Sequence, residues 1–128
     1  MIALVIDDSR AMRLILSRIT TQLGFEVWQA ENGREALNLL GASETVPTVA
    51  LVDWNMPEMN GLEFVTAVRA DPKYRAMTIM MVTTESEQSQ IVRALAAGAH
   101  EYVIKPFTPD AIEEKLALLG VLTNGATA

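Results

Sequence analysis

The sequence predicts an α/β fold, in which a five-stranded parallel sheet carries five helices packed on both of its faces. Two observations support this prediction most directly. Short apolar runs rich in β-branched residues occur five times, as expected for strands buried on both faces. Between and after them lie five stretches with apolar residues three and four positions apart, as in helices that bury one side. This regular alternation favours parallel strands joined by crossover helices.

The five predicted strands are apolar runs that end at polar residues or turns, at 2–6, 25–30, 48–53, 78–83 and 101–105. Ser9 or Asp8 is a suitable N-cap for the first helix, and Gly24 ends that helix. Asn32 begins the second helix, and Glu35 three residues later completes the pattern of a capping box.

The last three helices have equally clear limits. The third follows the turn that contains Gly61 and ends before Pro72, because a proline disfavours helical backbone at the preceding residue. The fourth is predicted at 86–97. Thr108 caps the fifth helix, with Pro109 at its first position, where the missing amide hydrogen is not needed.

The length of 128 residues suits one domain. We expect this domain to span residues 1–122, and the small, polar residues 123–128 to form a flexible tail. Ten basic and 16 acidic residues give a net charge of −6, which repels phosphate groups. The composition therefore predicts a domain that binds neither nucleic acid nor an anionic membrane.

Several other classes are excluded by residue content. The chain has no cysteine, so disulfides, thiolate metal sites and cysteine nucleophiles cannot occur. No apolar run approaches the ~20 residues of a membrane span, and no basic segment of a signal peptide precedes the first strand. We therefore expect a cytoplasmic protein.

Polar residues follow the strands at one end of the predicted sheet. Asp7 and Asp8 come after strand 1, while Asp53, Thr83 and Lys105 are the last residues of strands 3, 4 and 5. Open α/β sheets bind their ligands beyond the carboxyl ends of the strands. Each residue alone has an ordinary explanation, as a turn, a cap or a strand end. Their joint occurrence at one edge of the sheet predicts a functional site.

The residue types at this edge indicate phosphoryl transfer. Three neighbouring carboxylates repel one another, which a divalent cation would relieve. With oxygen ligands alone, that cation is expected to be Mg²⁺, with Mn²⁺ as the alternative. Lys105 is a point charge suited to an anionic oxygen, and Thr83 offers one hydroxyl donor. A carboxylate would then act as the nucleophile.

Four separated motifs resemble the receiver domain of two-component response regulators, and they cover almost the whole chain. They are Val-Ile-Asp-Asp-Ser at 5–9, Leu-Val-Asp-Trp-Asn-Met-Pro at 51–57 with Gly61, Val-Thr-Thr at 82–84, and Ile-Lys-Pro-Phe at 104–107. Among receivers the chain is most similar to stand-alone chemotaxis regulators, on the basis of Trp54, Asn55, Glu85, Tyr102 and the run 105–108. The resemblance implies the strand order 2-1-3-4-5.

The resemblance also implies roles for the residues of the site. Asp53 is expected to be the phosphoacceptor, taking its phosphoryl group from a histidine kinase or a small acyl phosphate. Asp8 would bind Mg²⁺ directly, Asp7 through water, and Asp53 and the backbone carbonyl of Asn55 would complete the protein ligands. Thr83 and Lys105 would bind the phosphoryl oxygens.

Further implied roles concern the output and the lifetime of the signal. Tyr102 would be an aromatic switch that turns inward when Thr83 moves, and Pro106 would follow a cis-peptide bond. Asn55 and Glu85 would guide the water that removes the phosphoryl group. Thr84 stands where chemotaxis receivers usually have a smaller residue, and its methyl group would narrow access to Asp53.

The resulting hypothesis is a monomeric signalling switch rather than a dedicated enzyme. Its output protein is expected to bind the face formed by helix 4, strand 5 and helix 5, and its pathway is expected to be chemotaxis. A phosphorelay outside chemotaxis is the alternative. A phosphatase or phosphotransferase with a carboxylate nucleophile is also considered, but the haloacid dehalogenase group has a second aspartate where this chain has Asn55. A nucleotide or flavin site is disfavoured because the first turn is Asp-Asp-Ser-Arg, without a glycine-rich loop.

Overall fold

A computed structural model of the protein describes residues 1–84 and 88–122. Five strands alternate with five helices along the chain. The strands are β1 (Ile2–Ile6), β2 (Glu26–Ala30), β3 (Val49–Asp53), β4 (Thr78–Thr83) and β5 (Glu101–Ile104). The helices are α1 (Arg10–Gln22), α2 (Gly33–Gly41), α3 (Gly61–Arg69), α4 (Gln88–Ala97) and α5 (Pro109–Leu118). None of the described helices is long and apolar enough to cross a membrane.

The strands form one parallel sheet in the order β2-β1-β3-β4-β5. Alternate residues of each strand point to opposite faces, so each face has a separate apolar core. The core on one face joins the sheet to α2, α3 and α4, while the other joins it to α1 and α5. The α/β class, the parallel sheet, its strand order and the placement of helices on both faces are therefore as predicted.

Capping residues set the start of most helices. The Ser9 side chain accepts a hydrogen bond from the Met12 amide, and the Thr108 side chain accepts one from the Ala111 amide. Asn60 and Glu63 form a complete capping box at the start of α3. Each of these contacts satisfies an amide that has no partner within the helix.

The capping box predicted for α2 is only half formed. The Asn32 side chain accepts from the Glu35 amide at 2.8 Å, as expected. The Glu35 carboxylate, however, accepts from the Glu31 amide at 2.7 Å instead of from the Asn32 amide. It thus closes the turn one residue before the N-cap.

Other boundaries differ from prediction for identifiable reasons. β2 begins at Glu26, because the Phe25 amide donates to Thr20 at the end of α1 while its side chain enters the core. β5 ends at Ile104, one residue before Lys105. Residues 86 and 87 of the predicted fourth helix, and the predicted tail at 123–128, lie outside the described residues.

A short 3-10 helix at Pro72–Tyr74 was not predicted. It is fastened by Arg69, whose guanidinium donates to the carbonyls of Tyr74 at 2.9 Å and Met77 at 2.7 Å. The same side chain donates to the Gly98 carbonyl at 3.0 Å. Arg69 therefore ties the end of α3 to the segments that precede β4 and β5.

Candidate functional site

The predicted site residues meet at the carboxyl end of the sheet. β1 and β3 are neighbours in register, so Asp7, just beyond β1, lies beside Asp53 at the end of β3. Asp8 is the next residue of the loop. Each of these three carboxylates offers an oxygen, and the three oxygens lie within 4.8 Å of one another. The chain thus concentrates negative charge at one point of this sheet edge.

Asp7 is held firmly by the turn into α1. Its side chain is buried, and its Oδ1 accepts a hydrogen bond from the Ser9 amide at 2.9 Å. The guanidinium of Arg13 donates to the Asp7 carbonyl oxygen at 2.7 Å. Asp8, in contrast, is exposed to solvent. One carboxylate is therefore fixed inside the site while its neighbour stays accessible.

Asp53 is 5% exposed, and its backbone is packed tightly against the start of α3. The Gly61 amide donates to the Trp54 carbonyl at 2.9 Å. A Cβ atom at position 61 would lie 2.5 Å from the Asp53 carbonyl oxygen and 3.0 Å from the Trp54 Cα. Only glycine permits this approach, which explains physically why the turn after Asp53 contains one.

Lys105 supplies the positive charge of the site. Its Nζ lies 2.9 Å from Asp7 Oδ2 and 3.3 Å from Asp53 Oδ1, with 13% of its side chain exposed. The Lys105 amide donates to the Thr83 carbonyl at 2.8 Å, and the Lys105–Pro106 bond is cis, as the resemblance implies. The ammonium group bridges two of the three carboxylates.

The site shifts the ionisation of both partners. Burial raises the pKa of Asp53 to about 6, the charge of Asp7 adds to this effect, and Lys105 opposes it. Burial by itself favours a lower pKa for Lys105, but its hydrogen bond to Asp7 and the charges of Asp53 and Asp7 outweigh burial and raise that pKa. The ionised carboxylate of Asp53 is therefore poorly stabilised. A further cation, or reaction with an electrophile, would lower its free energy.

Thr83 and Tyr102 lie on the same face of the sheet. Thr83 is buried at the end of β4, and Tyr102 is half-buried on β5, in register with Met81. Both side chains line one small cavity under α4. The coupling between the two residues stays a prediction.

Asn55 and Thr84 lie in the segments that follow β3 and β4. Asn55 is exposed two positions after Asp53, and Thr84 is exposed one position after Thr83. Glu85, the predicted partner of Asn55 in dephosphorylation, lies outside the described residues. The tuning roles of Asn55 and Glu85 therefore stay predictions.

Sequence reasoning missed the anchoring role of Arg13. An arginine on an amphipathic helix normally extends into solvent, and its spacing from Asp7 carries no recognisable signal. Its contact with the Asp7 carbonyl depends on how the loop after β1 enters α1. Such a contact can be identified only from the three-dimensional arrangement of this loop.

The receiver-domain model of response regulators matches residues 3–117. The chain belongs to this family. Receiver domains generally bind Mg²⁺ at an acidic pocket, and the cluster of Asp7, Asp8 and Asp53 is that pocket here. Three close carboxylates, with only oxygen donors, also have the chemistry that suits a hard divalent cation. The resemblance inferred from the four motifs is therefore confirmed.

This receiver domain is similar to named chemotaxis proteins. The chemotaxis protein CheY homolog of Campylobacter jejuni is 52% identical over 114 residues, which cover 88% of this chain and 87% of that relative. Chemotaxis protein CheY1 of Helicobacter pylori is 45% identical over 117 residues, covering 91% and 94%. The solved structure of chemotaxis response regulator CheY4 of Vibrio cholerae has a TM-score of 0.85 at 36% identity, covering 92% of this chain and 97% of that chain.

Proposed function

We propose that this receiver domain is a chemotaxis switch that accepts a phosphoryl group on Asp53 and signals by protein contact. The observation that carries the proposal is the meeting of three carboxylates and one ammonium group around a buried aspartate at a sheet edge. The domain would act on itself only, through its own phosphorylation and dephosphorylation.

In the proposed reaction an Asp53 oxygen attacks the phosphorus of a phosphohistidine on the kinase. The new oxygen–phosphorus bond forms as the phosphorus–nitrogen bond breaks, and the imidazole leaves with a proton from solvent. Lys105 pairs with one phosphoryl oxygen and the Thr83 hydroxyl donates to another. Hydrolysis removes the phosphoryl group again: water attacks the phosphorus and the acyl phosphate bond breaks. This step regenerates the Asp53 carboxylate and releases inorganic phosphate.

The proposed magnesium ligands are Asp8 directly, Asp7 through water, Asp53 and the backbone carbonyl of Asn55. When bound, Mg²⁺ would offset the charge of the carboxylates and of the phosphoryl oxygens. Support comes from the mutual distances of the three carboxylate oxygens and from the raised pKa of Asp53. The chain's own task in this scheme is to hold Asp7 and Asp53 rigid, through Ser9, Arg13 and Gly61.

Chemotaxis is supported by the names of the relatives, which match over most of both chains. For the output we propose the face formed by α4, β5 and α5. Val92 and Leu95 lie three residues apart on α4, so two exposed apolar side chains share one side of that helix, and Leu118 is exposed on α5. A phosphorelay outside chemotaxis would use the same chemistry.

The proposal is tested by incubating the protein with acetyl phosphate and Mg²⁺ and measuring its mass. We expect one base-labile phosphate per chain, and none after Asp53→Asn, which removes the anionic nucleophile but keeps the shape. Asp110→Asn, at an exposed aspartate of α5, is the matched control and is expected to incorporate phosphate normally. The proposal would be contradicted if Asp53→Asn still incorporated phosphate at the same site as the wild type. Rapid turnover of many phosphate monoesters by the protein would also contradict it.

A further inference from the structure

The cavity shared by Thr83 and Tyr102 also contains a buried acceptor without a donor. Its volume is about 10 Å³, and its wall includes Trp54, Gln90 and Ile91. Within residues 1–84 and 88–122, no group donates a hydrogen bond to Gln90 Oε1, although this atom is shielded from solvent. A space of this size is at the lower limit for one water molecule. Buried amide oxygens normally have a donor, so this one requires a reason.

Tyr102 also contacts a cation. The Lys115 Nζ lies 5.1 Å from the centroid of the Tyr102 ring. Lys115 is also 3.3 Å from Glu101 Oε1, and that oxygen accepts the Tyr102 amide hydrogen at 2.9 Å. Glu101 thus holds Lys115 near the ring, and the half-buried Tyr102 contacts this ammonium group and also lines the cavity.

We propose that Gln90 positions Tyr102 in the phosphorylated form by accepting a hydrogen bond from its hydroxyl group. This inference rests on the proposed function, in which the phosphoryl group on Asp53 draws Thr83 toward itself. Thr83, Gln90 and Tyr102 border the same cavity, so the space that Thr83 leaves adjoins the acceptor. The ring turns into that space, and its hydroxyl donates to Gln90 Oε1.

The physical reason for a dedicated acceptor is the cost of burying a hydroxyl group. A phenol moved out of water without a partner loses its hydrogen bonds to solvent. A phenylalanine-like ring could enter the cavity for its apolar contacts alone, whereas a tyrosine needs an acceptor at the inner end. Gln90 Oε1 is already shielded from solvent. The free-energy cost of desolvating this acceptor therefore does not oppose the movement of the ring.

The test compares four variants at two cavity positions. Gln90→Leu and Gln90→Met remove the acceptor with little change in size, while Gln90→Glu keeps an acceptor oxygen. Ile91→Val changes the cavity wall without touching a polar atom and is the matched control. We expect loss of the acceptor to lower the inward-to-outward ratio of Tyr102 about tenfold. Gln90→Glu should restore much of it.

The position of Tyr102 is measured by NMR on protein with tyrosine labelled with ¹³C at Cζ. The chain has two tyrosines, so Tyr74→Phe assigns the signals. Spectra are recorded before and after adding Mg²⁺ and beryllofluoride, which mimics the phosphoryl group. Fluorescence of Trp54, in a Trp28→Phe background, reports whether beryllofluoride binds. The wild type should shift its Tyr102 signal fully, and both apolar Gln90 variants only slightly, at equal binding of beryllofluoride.

The outcomes separate this inference from the proposed function. Equal Tyr102 shifts in Gln90→Leu, Gln90→Met and the wild type overturn the role of Gln90. The role is also overturned if Ile91→Val reduces the Tyr102 shift as much as the apolar Gln90 variants do. A wild type that binds beryllofluoride without any Tyr102 shift also overturns it, but leaves Asp53 as the acceptor. A wild type in which Trp54 reports no binding at all overturns both. Two apolar variants are used so that poor folding of one does not decide the result.

Discussion

Lys105 lies closer to Asp7 than to Asp53: its Nζ is 2.9 Å from Asp7 Oδ2 and 3.3 Å from Asp53 Oδ1. Asp7 is fixed by hydrogen bonds to its side chain and carbonyl, so it serves as the anchor for the ammonium group. In the proposed reaction Lys105 would therefore keep its contact with Asp7 while exchanging Asp53 for a phosphoryl oxygen. The same arrangement makes Lys105 the main neutralising group of the buried carboxylates.

We predict that Lys105→Met lowers the free energy of unfolding by about 2 kcal/mol at pH 7 without Mg²⁺, because two buried carboxylates lose their cation. The loss should be smaller at pH 5, where Asp53 is largely protonated. Lys73→Met, at an exposed lysine that donates to the Ser43 carbonyl, is the control and should change stability little. Urea denaturation at both pH values measures the effect. A Lys105 variant as stable as the wild type would show that the contacts are not energetically important.

Asp53→Asn should make the protein more stable at neutral pH in the absence of Mg²⁺. The folded-state pKa of Asp53 is about 6, above its ordinary value of 3.8, so the folded chain holds the ionised form less well than the unfolded chain does. Wild-type stability therefore falls as the pH rises from about 4 to about 7. The corresponding gain from Asp53→Asn is up to about 3 kcal/mol at pH 7, and about half of it remains at pH 5.

The raised pKa of Lys105 does not alter that window, since its contribution is complete below its ordinary pKa of 10.5 and is lost only at higher pH. Thermal or urea unfolding of the wild type, Asp53→Asn and the exposed control Asp110→Asn between pH 5 and pH 8 tests the prediction. A stability difference that is independent of pH would mean that the Asp53 pKa is not raised.

We predict that Asn55→Met lengthens the life of the acyl phosphate several-fold. In its proposed role the exposed amide of Asn55, two positions after Asp53, would guide water or contact a phosphoryl oxygen, and an apolar side chain would shield the phosphorus instead. For the wild type we expect a lifetime of roughly tens of seconds to minutes. Phosphate loss is followed after removing the donor, with Asn38→Met on the exposed face of α2 as control. A wild-type half-life of many hours would overturn this role of Asn55.

Gly61→Ala should distort the site through a steric clash with the backbone of Asp53. The new Cβ would press on the Asp53 carbonyl oxygen at 2.5 Å, and backbone yields less readily than a flexible side chain. We expect a loss of about 1–3 kcal/mol in stability and slower phosphorylation, because Asp53 would be displaced. Gly41→Ala is the matched control: a Cβ there meets nothing within 4 Å, so that substitution should be neutral or slightly stabilising. Equal effects at the two positions would refute the steric argument.

Local patterns predicted the elements that depend on buried periodicity. β1 and β4 have the predicted bounds, and in both the apolar run ends at a polar residue, Asp7 just after β1 and Thr83 as the last residue of β4. Phe25 shows the limit: it belongs to the apolar run, but its amide bonds to the preceding helix instead of the sheet. The Pro72–Tyr74 turn depends on Arg69, whose partners are distant carbonyls that no local pattern reveals.

The residues of the site also fall into two groups, those that the sequence pattern predicts and those that depend on tertiary packing. Asp7, Asp53 and Lys105 were predictable because parallel strands all end at one edge of the sheet. Arg13 and Gln90 were not, since the direction of a helical side chain depends on how the helix packs. Gly61 was recognised as part of a motif, while the reason for it is the 2.5 Å approach to the Asp53 carbonyl. Residues that position others thus require the three-dimensional structure.

Lys115→Met should release Tyr102 before any phosphorylation. Methionine keeps the apolar stem but removes the ammonium group, which lies 5.1 Å from the ring centroid and 3.3 Å from Glu101 Oε1. A cation near an aromatic ring at a partly exposed site contributes about 0.5–1 kcal/mol, so its loss should raise the inward-to-outward ratio of Tyr102 roughly two- to fivefold. Lys115→Arg, which keeps the cation, is the control. The ¹³Cζ signal of Tyr102 is the appropriate measurement, because Lys115 borders the proposed output face and partner binding would mix the two effects. An unchanged Tyr102 signal in Lys115→Met would show that the cation does not restrain the ring.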